Sequence, residues 1–301
     1  MRRIQHPGPV AKQRADVVAA TVREQTLQLQ SGRSLLAAVT EALAPFSMRN
    51  TPNTPSADNA ISAVLQLQPG TLQPFAYVMP ALSKTAAHAV YFSDRFDAAG
   101  AVLLETATVT VGQRDGQPSL HCHARWLDAE GRRHCGHVLP HEAMLSSPLR
   151  ASAWLLDGAA FQVMADDETA FSLFKPVARP SAGGGHPGRA ALAVRLAPNE
   201  DVCTALEAIC RQRGITHATL RGGVGSTVGA VFDDGHRVEP FVTELLVRQG
   251  RVRPGADGAP VAEIDVSLVD HTGGLADGRL ARGANAVLVT FELVLELDCP
   301  A

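Results

Sequence analysis

The chain has few aromatic residues, and it lacks a strong net charge of either sign. Aromatic side chains make up 5% of its 301 residues, so a base-stacking surface for single-stranded nucleic acid is not expected. The formal net charge of −3 gives no overall basic face of the kind that DNA-binding proteins use against phosphates. Hydrophobic residues nevertheless make up 46% of the chain, which is enough to fill the cores of globular domains.

Disulfide spacing and long apolar segments are also missing. The five cysteines are odd in number and follow no disulfide framework, which favours reduced thiols. No apolar run is long enough to span a bilayer, and residues 1–9 are too polar for a secretory signal. These features predict a cytoplasmic protein with no membrane partner.

The length of the chain allows two domains of about 150 residues each. Residues 180–188 read PSAGGGHPG, which is typical of a linker because nearly all of them are glycine, proline or small. We therefore predict an N-terminal arm over residues 1–25, a first domain over 26–178, a linker over 179–189 and a second domain over 190–301.

Three histidines in the first domain form a candidate metal site. His121 and His123 stand two apart in a predicted strand, so both side chains point to one face. A turn over residues 128–131 brings His137 back alongside them. Three neutral imidazoles on one face favour a transition metal with an open fourth position. Nitrogen ligands argue against Ca²⁺ and Mg²⁺; Zn²⁺ is favoured, and Mn²⁺, Fe²⁺ and Ni²⁺ stay open.

The second half of the chain repeats the spacing of this hairpin 142 residues later. Glu263, Asp265 and Arg279 occupy the positions of the three histidines there. An arginine cannot ligate a metal, and its charge instead pairs with the two carboxylates. The pattern predicts a tandem duplication in which only the first copy keeps the metal site.

These motifs resemble the PCC domain, also called PPC (plants and prokaryotes conserved, DUF296). That family carries H-x-H, a turn glycine, G-G-H, and a closing strand with an acidic residue. Residues 120–123, Gly131 and residues 135–137 match the first three features, although Cys135 replaces the first glycine of G-G-H. In the second copy Glu292 is the acidic residue of the closing strand, whereas the first copy has Arg150 at that position.

The resemblance implies an α/β (α+β) fold, here with two tandem PCC-like domains, each a mixed, largely antiparallel sheet flanked by helices. It also implies a homotrimer and a metal, zinc above all, on His121, His123 and His137. Plant members attach the domain to AT-hooks, so a DNA-binding or regulatory role is the alternative function. This chain has no R-G-R-P core, since Val252 stands in the nearest string where a minor-groove arm needs glycine.

The primary hypothesis is a metal-binding protein that binds or transforms a small molecule at the open metal position. Hydrolase or lyase chemistry on a small acid is conceivable at such a site. His141 and Glu142 follow the hairpin at once and are candidates for catalytic proton transfer, although a plain surface loop explains them equally well. Tyr91, Ser93 and Arg95 are candidate substrate contacts, with a solvated loop as the alternative.

Overall fold

The computed structural model describes residues 1–47, 61–181 and 188–298 of the chain, and it is dominated by β-sheet. The predicted linker therefore lies partly outside the described residues, as does Cys299.

In the described residues before the predicted linker, the elements are thirteen strands, one α-helix and a 3₁₀ turn at Ala44–Phe46. In chain order they are β1 (Ala15–Leu29), α1 (Leu35–Leu43), β2 (Ala63–Leu67), β3 (Gly70–Leu72), β4 (Ala76–Val78), β5 (Pro80–Leu82), β6 (Val90–Phe92), β7 (Phe96–Asp97), β8 (Val102–Arg114), β9 (Gln117–Leu127), β10 (Arg133–Val138), β11 (Leu149–Asp157), β12 (Ala159–Ala165) and β13 (Ser172–Ala178). The elements after it are β14 (Arg189–Leu196), α2 (Val202–Gln212), β15 (Ala218–Val231), β16 (Arg237–Pro254), β17 (Pro260–Asp270), β18 (Leu275–Arg279) and β19 (Val287–Leu297).

The two halves have the same order of paired strands. Hydrogen-bonded neighbours in the first half run β1–β11–β2–β8–β9–β10. In the second half they run β14–β19–β15–β16–β17–β18. The hairpins also share a register, because His123 lies opposite His137 as Asp265 lies opposite Arg279. This parallel supports the predicted duplication.

Strand β1 joins the two halves into one sheet. Its first part, from Ala15 to Val22, pairs antiparallel with β14, and its last part, from Thr21 to Leu29, pairs antiparallel with β11. Residues 15–25, which we expected in an N-terminal arm, are therefore strand. Their valines and threonines favour extended backbone, and two facing strand edges supply hydrogen-bond partners for both sides.

The residues before β1 are also attached to the second half. Asn199 uses its side-chain amide to pair with both backbone groups of Ile4, at 2.8 Å each. His6 is buried, and its Nε2 lies 2.7 Å from the carbonyl oxygen of Leu288. The start of the chain is thus held against the sheet.

Helices make up little of the described structure, although both begin where the sequence predicts. Ser34 caps α1 by accepting a hydrogen bond from the amide of Ala37, and Asp201 caps α2 by accepting one from Thr204. Each helix packs its apolar face into the core of its own half. The expectation of sheets flanked by helices is met only in part, because the helices have 9 and 11 residues and the sheet provides the frame. None of the helices in the described ranges is long and apolar enough to cross a membrane.

The histidine-bearing strands of the first half face the second half. Thr108 on β8 donates a hydrogen bond to the carbonyl oxygen of Val247 on β16, at 3.3 Å. Cys135 on β10 packs with the buried side chains of Leu246 and Val269. This face-to-face packing places the candidate metal site between the two halves rather than on an open surface.

Candidate metal centre

His121, His123 and His137 converge on one point between the halves. Alternation along β9 puts the first two on one face, and the β9–β10 pairing sets His137 directly opposite His123. The ring centroids are 4.7 to 5.3 Å apart, and one ligand atom of each side chain lies within 4.8 Å of the others. The hairpin geometry read from the sequence therefore brings the three imidazoles together.

Hydrogen bonds fix the tautomers of two of the rings. The Nδ1 of His123 lies 2.8 Å from the carbonyl oxygen of Leu245, which can only accept, so this nitrogen carries the proton. The Nδ1 of His121 donates to Oε1 of Glu292 at 2.7 Å. The Nε2 atoms of the two rings lie 3.1 Å apart. When His121 is neutral both of them present lone pairs, and when His121 is protonated its Nε2–H donates to the Nε2 of His123.

Two facing lone pairs repel each other unless a cation lies beside them. Ligand nitrogens on a tetrahedral zinc with ~2.0–2.1 Å bonds stand about 3.3 Å apart, close to the separation observed for His121 and His123. The carbonyl and carboxylate partners behind the rings match the usual support of metal-ligating histidines. The residues present therefore fit a divalent transition metal.

Burial keeps two of the three rings, those of His123 and His137, in the neutral form that metal ligation requires. Burial and, to a smaller extent, the neighbouring His121 together lower the pKa of His137 to about 3. The pKa of His123 is held well below its ordinary value, first by burial and then by the two other histidines. The Nδ1 of His137 is buried without a hydrogen-bond partner in the described part of the chain. A site of this kind loses ligation only in acid.

Glu292 is a residue of the centre that the sequence analysis did not include among the candidates. It lies on β19, the closing strand of the second half, as expected, and the structure sets it against His121 of the first half. Its side chain is fully buried, and its Oε2 has no hydrogen-bond partner among the described residues. The sequence contained a hint of this contact. In the first copy Arg150 stands at the position equivalent to Glu292, so the histidines have no carboxylate from their own closing strand.

A cavity of about 210 Å³ adjoins the histidines and is lined by both halves. Its polar lining includes Arg114, Thr290 and Glu244. Burial raises the pKa of Glu244 to about 8, and its Oε2 has no hydrogen-bond partner in the described ranges. At neutral pH this carboxyl group is therefore protonated and can donate a hydrogen bond into the cavity.

Aromatic side chains form one wall of the cavity. Strands β5 and β6 make a separate two-stranded sheet that carries Tyr91 and Phe92. The Phe92 ring lies 5.2 Å from the ring of His137, and the Tyr91 ring stacks on Phe171 at 5.6 Å. This wall suits an apolar part of a ligand while the histidines and Glu244 face its polar part.

Only one of the other predicted site residues lines the cavity. Tyr91 lines the cavity. Ser93, Arg95, His141 and Glu142 are not among the residues that line it. The Ser93 hydroxyl accepts a hydrogen bond from the amide of Met79 and donates one to the carbonyl oxygen of Asp94. Arg95 forms ion pairs with Asp97 and Glu142. His141 is exposed. Catalytic roles for His141 and Glu142, and substrate contacts of Ser93 and Arg95, stay predictions without support from the cavity.

The family model of the Plants and Prokaryotes Conserved (PCC) domain matches residues 185–297. Residues 185–297 are therefore similar to a PCC domain. The match covers the second half, which has Glu263, Asp265 and Arg279 in place of the three histidines, and the first half lies outside it. The matched half nevertheless contributes Glu292, the Leu245 carbonyl and Glu244 to the centre, so both halves build it.

Several solved structures resemble the chain at low sequence identity. A metal-containing protein from Archaeoglobus fulgidus is 14% identical, with a TM-score of 0.38, and the match covers 58% of this chain and 99% of that one. A plant- and prokaryote-conserved protein from Pyrococcus horikoshii is 14% identical, with a TM-score of 0.39 and coverage of 57% and 100%. A candidate DNA-binding protein from Ralstonia eutropha JMP134 is 10% identical, with a TM-score of 0.35 and coverage of 51% and 94%. Comparison with curated proteins found no match.

Proposed function

We propose that this protein binds a divalent transition metal, zinc above all, through His121, His123 and His137, and a small molecule in the adjoining cavity. The convergence of the three imidazoles carries the proposal: one ligand atom of each lies within 4.8 Å of the others, and the Nδ1 atoms of His121 and His123 are held from behind by Glu292 and the Leu245 carbonyl. The buried, partnerless Nδ1 of His137 adds to it. Without a cation at this point, burying these imidazole nitrogens without partners would lower the free energy of unfolding.

A metal held by three imidazoles supplies Lewis acidity toward a carbonyl or carboxylate group. The chain's own residues orient the rings: Glu292 holds the Nδ1–H of His121, and the Leu245 carbonyl holds that of His123. The protonated Glu244 donates a hydrogen bond to a polar group in the cavity. Phe92 packs against the ring of His137 and limits the orientations open to that ring.

The ligand class that suits this cavity is a small acid with an apolar body. Arg114 lines the cavity and is exposed, so its guanidinium is available to a carboxylate. The aromatic wall accepts the apolar part, and the metal and Glu244 act at the other end. Hydrolase or lyase chemistry on such an acid is the reaction class that we propose for the site, in a cytoplasmic protein.

The first half is proposed to be a second, diverged PCC-like domain, and the protein a trimer. The identical strand order and hairpin register of the two halves support the duplication. The trimer rests on the family resemblance alone. Light scattering tests it: a trimer has three times the chain mass of 31.7 kDa, and a monomer contradicts the proposal.

Metal analysis of the purified protein tests the site itself. Elemental mass spectrometry is expected to find about one zinc per chain in the parent, and none in His123→Ala or His137→Ala, since two imidazoles hold zinc weakly. His217→Ala is the matched control, because His217 is exposed and does not belong to the three-histidine cluster. Full metal content in both cluster variants would sink the proposal.

DNA binding is the alternative that the same preparation can decide. The net charge of −3 counts against it, because phosphate contacts need a basic surface. Fluorescence anisotropy with a labelled duplex at about 100 mM salt is expected to show no saturable binding. Tight, salt-dependent binding would favour the regulatory role over the small-molecule role.

A further inference from the structure

A second cavity, of about 170 Å³, lies where strands β15 and β16 separate. The two strands pair at Thr219–Arg251 and again at Val224–Leu246, and the four residues between these points on one strand do not pair with the four on the other. Most of these residues pair instead with the outer strands β19 and β17. The cavity is lined by both separated segments and by Trp154 from the first half. It is thus distinct from the histidine centre and has no part in the function proposed above.

Glycine backbone builds this opening into the sheet. Gly222 and Gly223 have φ angles of 68° and 112°, which other residues rarely adopt. A Cβ on Gly222 would stand 2.7 Å from the Cβ of Val64, and one on Gly223 would stand 2.5 Å from Val247. The same two glycines form a bulge against β19, between Arg221 and Val224. The separation of the strands therefore results from specific glycine backbone conformations inside the sheet and not from fraying at a strand end.

Hydrogen-bond donors without partners face this cavity. Trp154 lines it and is 5% exposed, and its Nε1–H has no hydrogen-bond partner in the described part of the chain. The guanidinium carbon of Arg221 lies 4.7 Å over the Trp154 ring, and its Nε donates a hydrogen bond to Glu296 at 2.6 Å. Arg248 also lines the cavity, is exposed, and forms no ion pair within the described ranges. An indole N–H can only donate, so the missing partner is an acceptor.

The charge of the lining selects the kind of acceptor. Two guanidinium groups line the cavity, and no carboxylate does. Guanidinium groups bind phosphate oxygens with two parallel hydrogen bonds. The charge of Arg221 is already paired with Glu296, so Arg248, which has no ion pair in the described ranges, supplies the uncompensated positive charge. The volume holds a few water-sized groups, which is the size of a phosphate rather than of a nucleotide base and sugar.

We infer that the gap between β15 and β16 is a phosphate-binding site, held by Arg221, Arg248 and the Nε1–H of Trp154. Free phosphate and the phosphate group of a small ester share this chemistry. Either ligand would accept hydrogen bonds from the Trp154 Nε1–H and from the guanidinium groups of Arg221 and Arg248.

Calorimetric titration of the full-length protein with inorganic phosphate, at ionic strength matched with sodium chloride, tests the inference. We expect saturable binding of one phosphate per chain, weakened about tenfold by Arg248→Gln through loss of one charged donor. Arg253→Gln is the matched control, because Arg253 is exposed on the same strand and does not line the cavity. Trp154→Phe is expected to weaken binding several-fold, because it removes the Nε1–H. The same change also removes buried volume and the ring under Arg221, so its binding is measured at a temperature well below its own unfolding midpoint.

Two further arms separate this site from the other centre and one phosphate source from the other. His137→Ala is expected to keep phosphate binding, whereas loss of binding in His137→Ala alone would place the phosphate at the histidines and overturn the inference. Glycerol 3-phosphate binding more tightly than inorganic phosphate identifies an ester as the ligand, and the reverse identifies free phosphate. Absence of saturable binding, or equal loss in Arg248→Gln and Arg253→Gln, would also overturn it.

Discussion

The buried carboxyl group of Glu244 makes the stability of the protein depend on pH. Its pKa is raised by burial from 4.5 to about 8 in the folded protein. As pH rises between these two values, the unfolded chain releases this proton while the folded protein keeps it. The stability associated with the protonated form is therefore fully present below about pH 4.5 and is lost as pH rises through about 8.

The size of the effect follows from the shift. Each pKa unit is worth about 1.4 kcal/mol, so the full shift has an upper limit of about 5 kcal/mol. Relaxation around a buried charge lowers such limits, and we expect about 2–3 kcal/mol. Glu244→Gln keeps the shape of the side chain and is neutral at every pH. The variant should match the parent at pH 5 and exceed it by about 2–3 kcal/mol at pH 8.5.

Urea unfolding of the metal-free proteins at a series of pH values from 5 to 8.5 measures this difference. Glu239→Gln is the control, because Glu239 lies on the same strand with its side chain 76% exposed, and its unfolding free energy should follow the parent at every pH. A difference between Glu244→Gln and the parent that does not change with pH would refute the reasoning, since it would mean that Glu244 titrates alike in both states.

Three further variants test the centre and its frame. Glu292→Gln should weaken zinc binding about tenfold in competition with a chromophoric chelator, because it removes the charge behind His121, and unchanged affinity would contradict this role. Gly225→Ala should lower the unfolding free energy by about 2–3 kcal/mol, because a Cβ would stand 2.6 Å from the carbonyl oxygen of Thr290; a parent-like urea midpoint argues against it. Asp201→Ala should cost about 2 kcal/mol in the same assay, because it removes the cap of α2 and a bond from Gly283; a loss under about 0.5 kcal/mol would be inconsistent with that account.

Local rules predicted much of the frame. The N-caps Ser34 and Asp201 were readable because a small polar residue before an apolar periodic segment marks a helix start. Cys122 is fully buried, as expected from its place between two histidines on the opposite strand face. The β1 strand was underestimated because its role depends on two partner edges, β11 and β14, that are distant in sequence.

The histidine cluster separates what the chain determines locally from what folding adds. Strand alternation and one turn suffice to put His121, His123 and His137 on one face, so the sequence by itself determined the three candidate ligands. The tertiary structure decided that Glu292 and the Leu245 carbonyl stand behind two of the rings, and that a cavity with a neutral Glu244 adjoins them. Those contacts join residues more than a hundred positions apart, and they depend on how two sheet halves pack face to face, which no local periodicity encodes.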